Sequence, residues 1–270
     1  MGDDAFPIKR AMVVYAHPDD AEFNCAGTIA RMTAEGVAWT LVVCTNGNAG
    51  GEGDRTHEEL ALVREEEQRA AADVMGVRRI VNLGYDDGSL QPSLELRRDI
   101  TRVIRQHRPN LVITANPVRH LGPIQGNHPD HLAAGEACLA AIYPTARNPM
   151  ALPELLAEGL EKWVVDWVYV TGTQEEPNHY VDITDTVDKK IAALRAHVSQ
   201  LGDWVGDYVK SHDRGTAERA REDGFGEFQY AESFVRMFTG ELNSPQALQA
   251  ARDFGFGQGV IRRRETAPAS

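Results

Sequence analysis

Short runs of β-branched and aromatic residues alternate with helical patterns along most of the chain, and this alternation constrains the fold more than any other feature. The runs that predict strands are 11–16, 39–45, 79–84, 110–115, 165–171 and 179–184. The stretches that predict helices are 25–35, 57–75, 94–107, 128–142 and 185–200. Nearly continuous apolar strands separated by helices indicate a parallel sheet between two helical layers. With right-handed crossovers, the pattern predicts an α/β fold with a doubly wound, Rossmann-like, mostly parallel sheet.

The chain shows no internal repeat, no low-complexity linker and no sharp break in composition. We therefore expect one domain over residues 1–270, with a core at about 11–184 and a helical or loop extension at about 185–270. Within the extension, residues 203–230 are rich in charge and glycine and predict loop with broken helix. The final stretch, "RRRETAPAS", predicts a frayed tail.

Charge and cysteine content exclude several classes of function. The formal net charge is −12, and such a chain repels phosphate backbones and anionic lipid surfaces. Neither nucleic acid nor membrane is expected as a partner. The first apolar run is too short for a signal peptide, so cytoplasmic residence is the expectation. The three cysteines are scattered and lack CxxC spacing, which argues for a reducing compartment and against a thiolate zinc site.

Two unusual stretches follow the first and fourth predicted strands. The HPDD corner (residues 17–20) lies in "YAHPDDAEFNC", and the HPDH corner (residues 128–131) ends "NPVRHLGPIQGNHPDH". In a doubly wound sheet ordered 3-2-1-4-5, strands one and four are neighbours, and ligands bind in the crevice outside their carboxyl ends. The two corners are therefore expected to face each other across one cleft.

Histidine and carboxylate without cysteine suit a zinc-type divalent ion in an open, catalytic arrangement. Such a site keeps three protein ligands and leaves a position for water. His17, Asp20 and His131 can supply the three. Pro18 biases His17 to extended backbone, and Pro129 suits the first turn of the following helix.

The remaining polar residues of the two corners can supply acid–base chemistry. A hydrolase needs an unliganded carboxylate beside the activated water, and Asp19 is the predicted general base. It also needs a donor for the developing oxyanion, and His128 fits that role. Asp130 is predicted to orient and charge the His128 ring.

At this point the sequence resembles the LmbE-like, or PIG-L, family of zinc-dependent N-deacetylases. The motifs that carry the resemblance best, over about residues 11–143, are "AHPDDAEF", "TNGNAGG", "REEEQRAAADVMG", "LGYDDGSL" and "HPDH". Weaker similarity continues in "KIAALRAHVSQ" and "AESFVRM". The resemblance implies a three-layer LmbE-like sandwich and removal of an N-acyl group, usually acetyl, from a small amino-sugar substrate.

The resemblance also implies roles for single residues. It implies one zinc ion per chain on His17, Asp20 and His131, with the catalytic roles given above for the other corner residues. It further implies that Arg64 contacts a substrate hydroxyl and that Asp87 lies in a sugar-binding loop.

One departure from the family pattern concerns the residue after the aspartate pair. Some members carry an acid there, whereas this chain has Ala21 and places Glu22 one position later. We expect Glu22 to be exposed or to cap a helix. The other histidines are expected on the surface or in packing: His57, His107, His120, His179, His197 and His212.

Other functions stay open at this stage. An amidase that cleaves a sugar-linked thiol conjugate would use the same metal. A nucleotide-binding or regulatory module would use the crevice without catalysis, although the acid-rich HPDD corner would repel a pyrophosphate. A non-catalytic sugar-binding relic is a third alternative. A homo-oligomer could form through the tail and exposed loops, which the sequence does not decide.

Overall fold

The computed structural model describes residues 7–51, 53–121, 124, 127–173, 175–241 and 248. The strands within this part of the chain are β1 (Arg10–Tyr15), β2 (Ala38–Thr45), β3 (Arg79–Tyr85), β4 (Leu111–Ala115), β5 (Trp167–Thr171), β6 (His179–Asp182) and β7 (Ala231–Phe238). The helices are α1 (Asp20–Ala34), α2 (His57–Met75), α3 (Leu94–His107), α4 (Pro129–Ala140), α5 (Pro153–Ala157), α6 (Val187–Arg195) and α7 (Val205–Glu222), and a π-helical segment spans Ala141–Ala146.

The strands form one sheet in the order β3-β2-β1-β4-β5-β7-β6. β1 to β5 pair in parallel, and β7 runs antiparallel to both β5 and β6. The predicted α/β fold with a mostly parallel sheet is therefore confirmed. The order also places β1 beside β4, so that the HPDD and HPDH corners leave the sheet at neighbouring strand ends.

Both faces of β1 are buried, which explains its unbroken apolar sequence. Val13 and Tyr15 join the core cluster that includes residues of α1 and α2, and Met12 and Val14 join the cluster with residues of α3 and α4. Full burial of such a side chain contributes roughly 1.5–3 kcal/mol. The strand that carries the HPDD corner is thus fixed from both sides.

The chain after residue 184 is more regular than its sequence predicts. α7 is one continuous helix rather than broken loop, because Val205, Val209 and Ala220 form a buried stripe on an otherwise charged surface. β7 was not predicted as a strand, because its buried positions include Glu232 and Arg236. β7 lies between β5 and β6, so this segment continues the main sheet. The tail lies outside the described residues.

None of the described helices combines the length and apolar character that crossing a bilayer requires.

Gly135 brings α4 into direct contact with the end of β4. A Cβ atom at this position would lie 2.4 Å from the carbonyl oxygen of Ala115 and 3.2 Å from the Pro117 nitrogen. The backbone atoms of Ala115 and Pro117 cannot avoid the added Cβ by a change of side-chain rotamer. We therefore expect Gly135→Ala to lower the free energy of unfolding by about 1–3 kcal/mol. Thermal or denaturant unfolding of the purified variant measures this change.

Gly215 is the matched control, because it lies within α7 and an added Cβ would meet no atom within 4 Å. Gly215→Ala should stabilise the protein by about 0.5–1 kcal/mol, as alanine favours the helix interior. Equal stability changes in the two variants would contradict the close contact between α4 and β4.

Candidate active site

The HPDD corner turns the chain from β1 into α1 within a few residues. The Asp20 carboxylate accepts a hydrogen bond from the His17 backbone N–H at 2.8 Å, which closes the turn. Asp19 has φ 99° and ψ −25°, in the left-handed region that few non-glycine residues occupy. Such backbone strain persists only where the surrounding structure holds it, and it occurs mainly at functional sites.

The HPDH corner begins α4 at the end of the loop that follows β4. His128 is the N-cap residue, and its Nδ1 accepts a hydrogen bond from the Asp130 backbone N–H at 3.2 Å. Pro129 occupies the first turn, where its missing N–H is tolerated. His131 lies one turn before Gly135 on α4, so the close helix–strand contact also sets the position of His131.

The two corners meet as the strand order predicts. His17 Nδ1 lies 3.1 Å from His131 Nε2. One oxygen of the Asp20 carboxylate lies 3.0 Å from His131 Nε2 and the other lies 3.5 Å from His17 Nδ1. Two nitrogens and a carboxylate, from two segments more than 100 residues apart in sequence, thus converge on one point.

The charges of these three residues compensate one another. Burial by itself would lower the pKa of His17, but hydrogen bonds to Asp20 and Asp87 raise it to about 10. Burial would raise the pKa of Asp20, but His131 and His17 hold it far below its usual value. The pKa of His131 is raised, against the effect of burial, by Asp20. The carboxylate is therefore ionised, and a metal ion bound here would compete with the protons that the carboxylates favour on the imidazoles.

Two further carboxylates hold the other side of the His17 ring. Asp87 Oδ1 lies 2.9 Å and Asp130 Oδ2 lies 3.3 Å from His17 Nε2. Asp130 also accepts the backbone N–H groups of Gly88 and Leu90 at 2.7 and 3.2 Å, which ties the loop after β3 to α4. Such outer carboxylates fix the tautomer and orientation of a metal-binding histidine.

This arrangement differs from the roles expected for Asp87 and Asp130. The prediction placed Asp130 behind His128, whereas its carboxylate lies against His17. It placed Asp87 at a sugar, whereas its side chain is 8% exposed and contacts His17 and, at 3.7 Å, Arg64. Both carboxylates contact the buried imidazole of His17. Sequence spacing does not show this contact.

Asp19 lies next to the cluster formed by His17, Asp20 and His131 but is not part of it. Burial and the neighbouring Asp20 carboxylate raise the pKa of Asp19 to about 7, although Arg64 acts in the opposite direction. Its Oδ2 accepts a hydrogen bond from Arg64 at 3.1 Å, and its backbone N–H donates to Gln68 Oε1 at 3.3 Å. A carboxyl group with a pKa near neutrality is suited to exchange a proton with water.

Arg64 was predicted to contact a substrate hydroxyl, but the structure gives it other partners. It is 3% exposed, and its guanidinium donates to the carbonyl oxygens of Pro18 at 2.5 Å and Gly47 at 3.2 Å as well as to Asp19. These contacts join α2 to the strained HPDD corner. Arg64 therefore fits a positioning residue for Asp19 better than a direct substrate contact.

His128 stands apart from the carboxylates. Burial, followed by the positive charges of His17 and His131, lowers the pKa of His128. Because Nδ1 accepts the Asp130 N–H, the proton of the neutral ring resides on Nε2. The His128 ring centroid lies 4.8 Å from that of His17 and 5.2 Å from that of His131. The lowered pKa favours the neutral ring, which is an N–H donor at the edge of the cluster, over the charged ring that the sequence predicted.

Sequence reasoning missed a buried pair beneath Asp19. Glu22 is fully buried, not exposed as expected; its Oε1 accepts from Gln68 Nε2 at 2.7 Å and its Oε2 lies 3.7 Å from His197 Nε2. His197 is buried as well and follows α6. The helical spacing of the sequence does indicate that Glu22 is buried, because Glu22 shares a face of α1 with the buried residues Ala26 and Ile29.

A small cavity of about 90 Å³ opens onto the cluster. Asp20 and His131 lie in its wall, together with Tyr15, Asn24, Ala115, Asn116, Val118, His120, Asn127, Leu132, Thr171 and Gly172.

Comparison with known proteins supports a family assignment. Residues 12–142 match the PIG-L family, described as GlcNAc-PI de-N-acetylase. The chain is 34% identical over 195 residues to a diacetylchitobiose deacetylase of Thermococcus kodakarensis, covering 72% of this chain and 71% of that protein. It is 30% identical to a probable N-acetyl-α-D-glucosaminyl L-malate deacetylase of Bacillus anthracis, covering 78% of this chain and 89% of that protein.

A solved structure agrees with these sequence relatives. The N,N′-diacetylchitobiose deacetylase of Pyrococcus horikoshii superposes with a TM-score of 0.77 at 28% identity, over 86% of this chain and 84% of that one. The relatives named here are deacetylases of N-acetylglucosamine-containing compounds. With the matched motifs and the shared sheet, these similarities show that the chain belongs to the PIG-L, or LmbE-like, family.

Proposed function

We propose that the protein is a zinc-dependent N-deacetylase that removes the acetyl group from the nitrogen of an N-acetylglucosamine-containing small molecule. The observation that carries the proposal is the convergence of His17, Asp20 and His131 beside Asp19, a carboxylate with a pKa near 7. The deacetylase relatives support the reaction class, and the substrate class follows from their names.

The three converging residues fit a zinc ion. Two ligand atoms about 2.0–2.1 Å from a tetrahedral zinc lie roughly 3.3 Å apart. The two imidazole nitrogens here are 3.1 Å apart, and the two oxygens of Asp20 lie 3.0 Å from His131 Nε2 and 3.5 Å from His17 Nδ1. Nitrogen and carboxylate oxygen are donors that zinc accepts. The nitrogens of His17, His128 and His131 also lie within 4.8 Å of one another. Asp20 is the better third ligand, because its negative charge offsets that of the ion and it contacts both histidines directly.

A bound zinc ion supplies Lewis acidity, which makes water a stronger nucleophile at neutral pH and polarises a carbonyl oxygen. The chain's own residues then move the protons. Asp19 accepts a proton from the water whose oxygen attacks the acetyl carbon. His128 Nε2–H donates a hydrogen bond to the carbonyl oxygen as negative charge develops there. The carbon–nitrogen bond breaks as the nitrogen takes up the proton that Asp19 received from water, and acetate and an amine are released.

Acetate release from a panel of N-acetylglucosamine compounds tests this function directly. The zinc-loaded protein should release acetate, a chelator should abolish the release, and added zinc should restore it. An N-acylated sugar–thiol conjugate in the same panel, scored by release of the amino sugar because its cleavage yields no acetate, tests the alternative amidase. Activity that persists without metal, or release from the thiol conjugate alone, would contradict the proposal.

Arg64→Lys should lower kcat by roughly ten- to a hundredfold and leave KM nearly unchanged. A lysine cannot contact Asp19 and the two carbonyl oxygens together, because it lacks the planar fork of a guanidinium. Steady-state kinetics on an N-acetylglucosamine compound measures the effect. Arg69→Lys is the matched control on α2, since Arg69 is exposed and pairs only with Glu65 among the described residues. A large rise in KM at unchanged kcat would instead support the substrate contact predicted from sequence.

A further inference from the structure

A second, larger cavity adjoins the small cavity that Asp20 and His131 line. Its volume is about 710 Å³, within the range of roughly 300–1,000 Å³ that small-molecule sites occupy. Asn24, Thr171 and Gly172 line both cavities. The two cavities are therefore neighbours that meet at these three residues.

Buried ionic contacts build the inner wall of this larger cavity. Lys190 Nζ lies 3.0 Å from Asp213 Oδ2 and 2.9 Å from Glu232 Oε1, and all three side chains are at least 98% buried. Glu232 also accepts the backbone N–H groups of Gly27 and Thr28 at 3.0 and 2.8 Å, just after α1 kinks at Cys25. The C-terminal elements α6, α7 and β7 are thereby fixed against the helix that carries Asp20.

The charge of this lining is predominantly negative. Its described carboxylates are Glu175, Glu176, Asp213, Asp223 and Glu232, and its arginine and lysine are Arg219 and Lys190. Lys190 is fully engaged by its two carboxylates, and Arg219 lies one helical turn before Asp223. An anionic group entering here would therefore meet like charge, which disfavours binding strongly. Carboxylate oxygens are, in contrast, good acceptors for hydroxyl groups.

We propose that the larger cavity is a subsite for the part of the substrate attached to N-acetylglucosamine, and that it takes a neutral, hydroxyl-rich ring rather than a carboxylate- or phosphate-bearing group. This inference rests on the proposed function, which places the acetamido group at the zinc ligands. It separates the substrate types of the two relatives: a neutral disaccharide, as in diacetylchitobiose, fits the lining, and the L-malate conjugate does not.

Calorimetric binding to the zinc-loaded Asp19→Asn protein tests the subsite without turnover. The probes are N-acetylglucosamine, N,N′-diacetylchitobiose and N-acetylglucosaminyl L-malate. We expect the disaccharide to bind at least about tenfold more tightly than either of the others. Equal affinity of the single sugar would show that the cavity holds no second ring. Equal or tighter binding of the malate conjugate would overturn the charge argument.

Charge reversal at the cavity wall tests the same point. Asp223→Lys should reduce the preference for the disaccharide over the malate conjugate by about tenfold, and the exposed Glu175→Lys should act in the same direction. Glu218→Lys is the control, since Glu218 is exposed on α7 and absent from the described lining. The same shift in all three variants would contradict a local effect of the cavity.

Acetate release by the wild-type protein is scored separately on the three compounds. No release from any of them, with the binding preference intact, would contradict the deacetylase proposal and leave the subsite standing. Release without a binding preference would contradict the subsite alone.

Discussion

Replacing Asp19 by asparagine is expected to lower kcat by about 10²–10⁴-fold and to leave zinc near one ion per chain. The magnitude is what a positioned general base contributes. The zinc should remain because Asp19 lies outside the cluster formed by His17, Asp20 and His131. Initial rates of acetate release and elemental analysis of the same preparation measure the two quantities.

Asparagine is the right replacement at this position. Asp19 has φ 99°, and asparagine tolerates the left-handed region better than most residues do. It also preserves an oxygen that can accept the hydrogen bond from Arg64. The unfolding midpoint of Asp19→Asn should therefore stay close to that of the wild type. Loss of zinc from this variant would show that Asp19 is a ligand, and full activity would show that another group is the base.

Replacing His131 by alanine is expected to remove the metal together with the activity. His131 Nε2 is within 3.1 Å of the donor atoms of His17 and Asp20, so its loss leaves two ligands. Removal of an outer partner already weakens metal binding about 10–100-fold, and loss of a ligand should exceed that range. Zinc content after dialysis and the zinc dissociation constant measure the effect.

His128→Ala is the control for this experiment, because it removes a histidine three positions away on the same corner. It should retain zinc near one ion per chain while kcat falls by about 10²–10³-fold, as expected for loss of an oxyanion donor. A His131→Ala protein that stays fully metallated, or a His128→Ala protein that loses its zinc, would contradict the assignment of ligands.

The part of the fold that positions these residues could be predicted from sequence. The run "AMVVYA" at 11–16 is apolar on both faces, as a central parallel strand must be, and the same holds for "NLVITA" at 110–115. Because a doubly wound sheet places these two strands side by side, the meeting of His17 and His131 followed from topology alone.

The contacts within the site could not be predicted in the same way. Asp87 and Asp130 were predicted to serve the substrate and His128, and they converge on His17 instead. Arg64 lies in the charged run "REEEQR", yet it is buried against Pro18 and Gly47. Sequence spacing gives the element on which a side chain lies, but the partner of a buried charge depends on packing between distant elements.

The C-terminal segment shows the same limit on a larger scale. Glu232 and Arg236 interrupt the apolar pattern of β7, and their burial depends on partners such as Lys190 that lie far away in sequence. A buried, paired charge has the same appearance in sequence as an exposed one. For that reason the strand between β5 and β6 was not recognised.

A crystal structure of the zinc-loaded protein, with anomalous scattering recorded at the zinc edge, would show whether the ion lies between the HPDD and HPDH corners. We expect one anomalous peak per chain, about 2.0–2.2 Å from His17 Nδ1, an Asp20 carboxylate oxygen and His131 Nε2, with Asp19 and His128 free of the ion. A peak bound by His128 or by Asp87 and Asp130, or no peak between the two corners, would contradict this expectation.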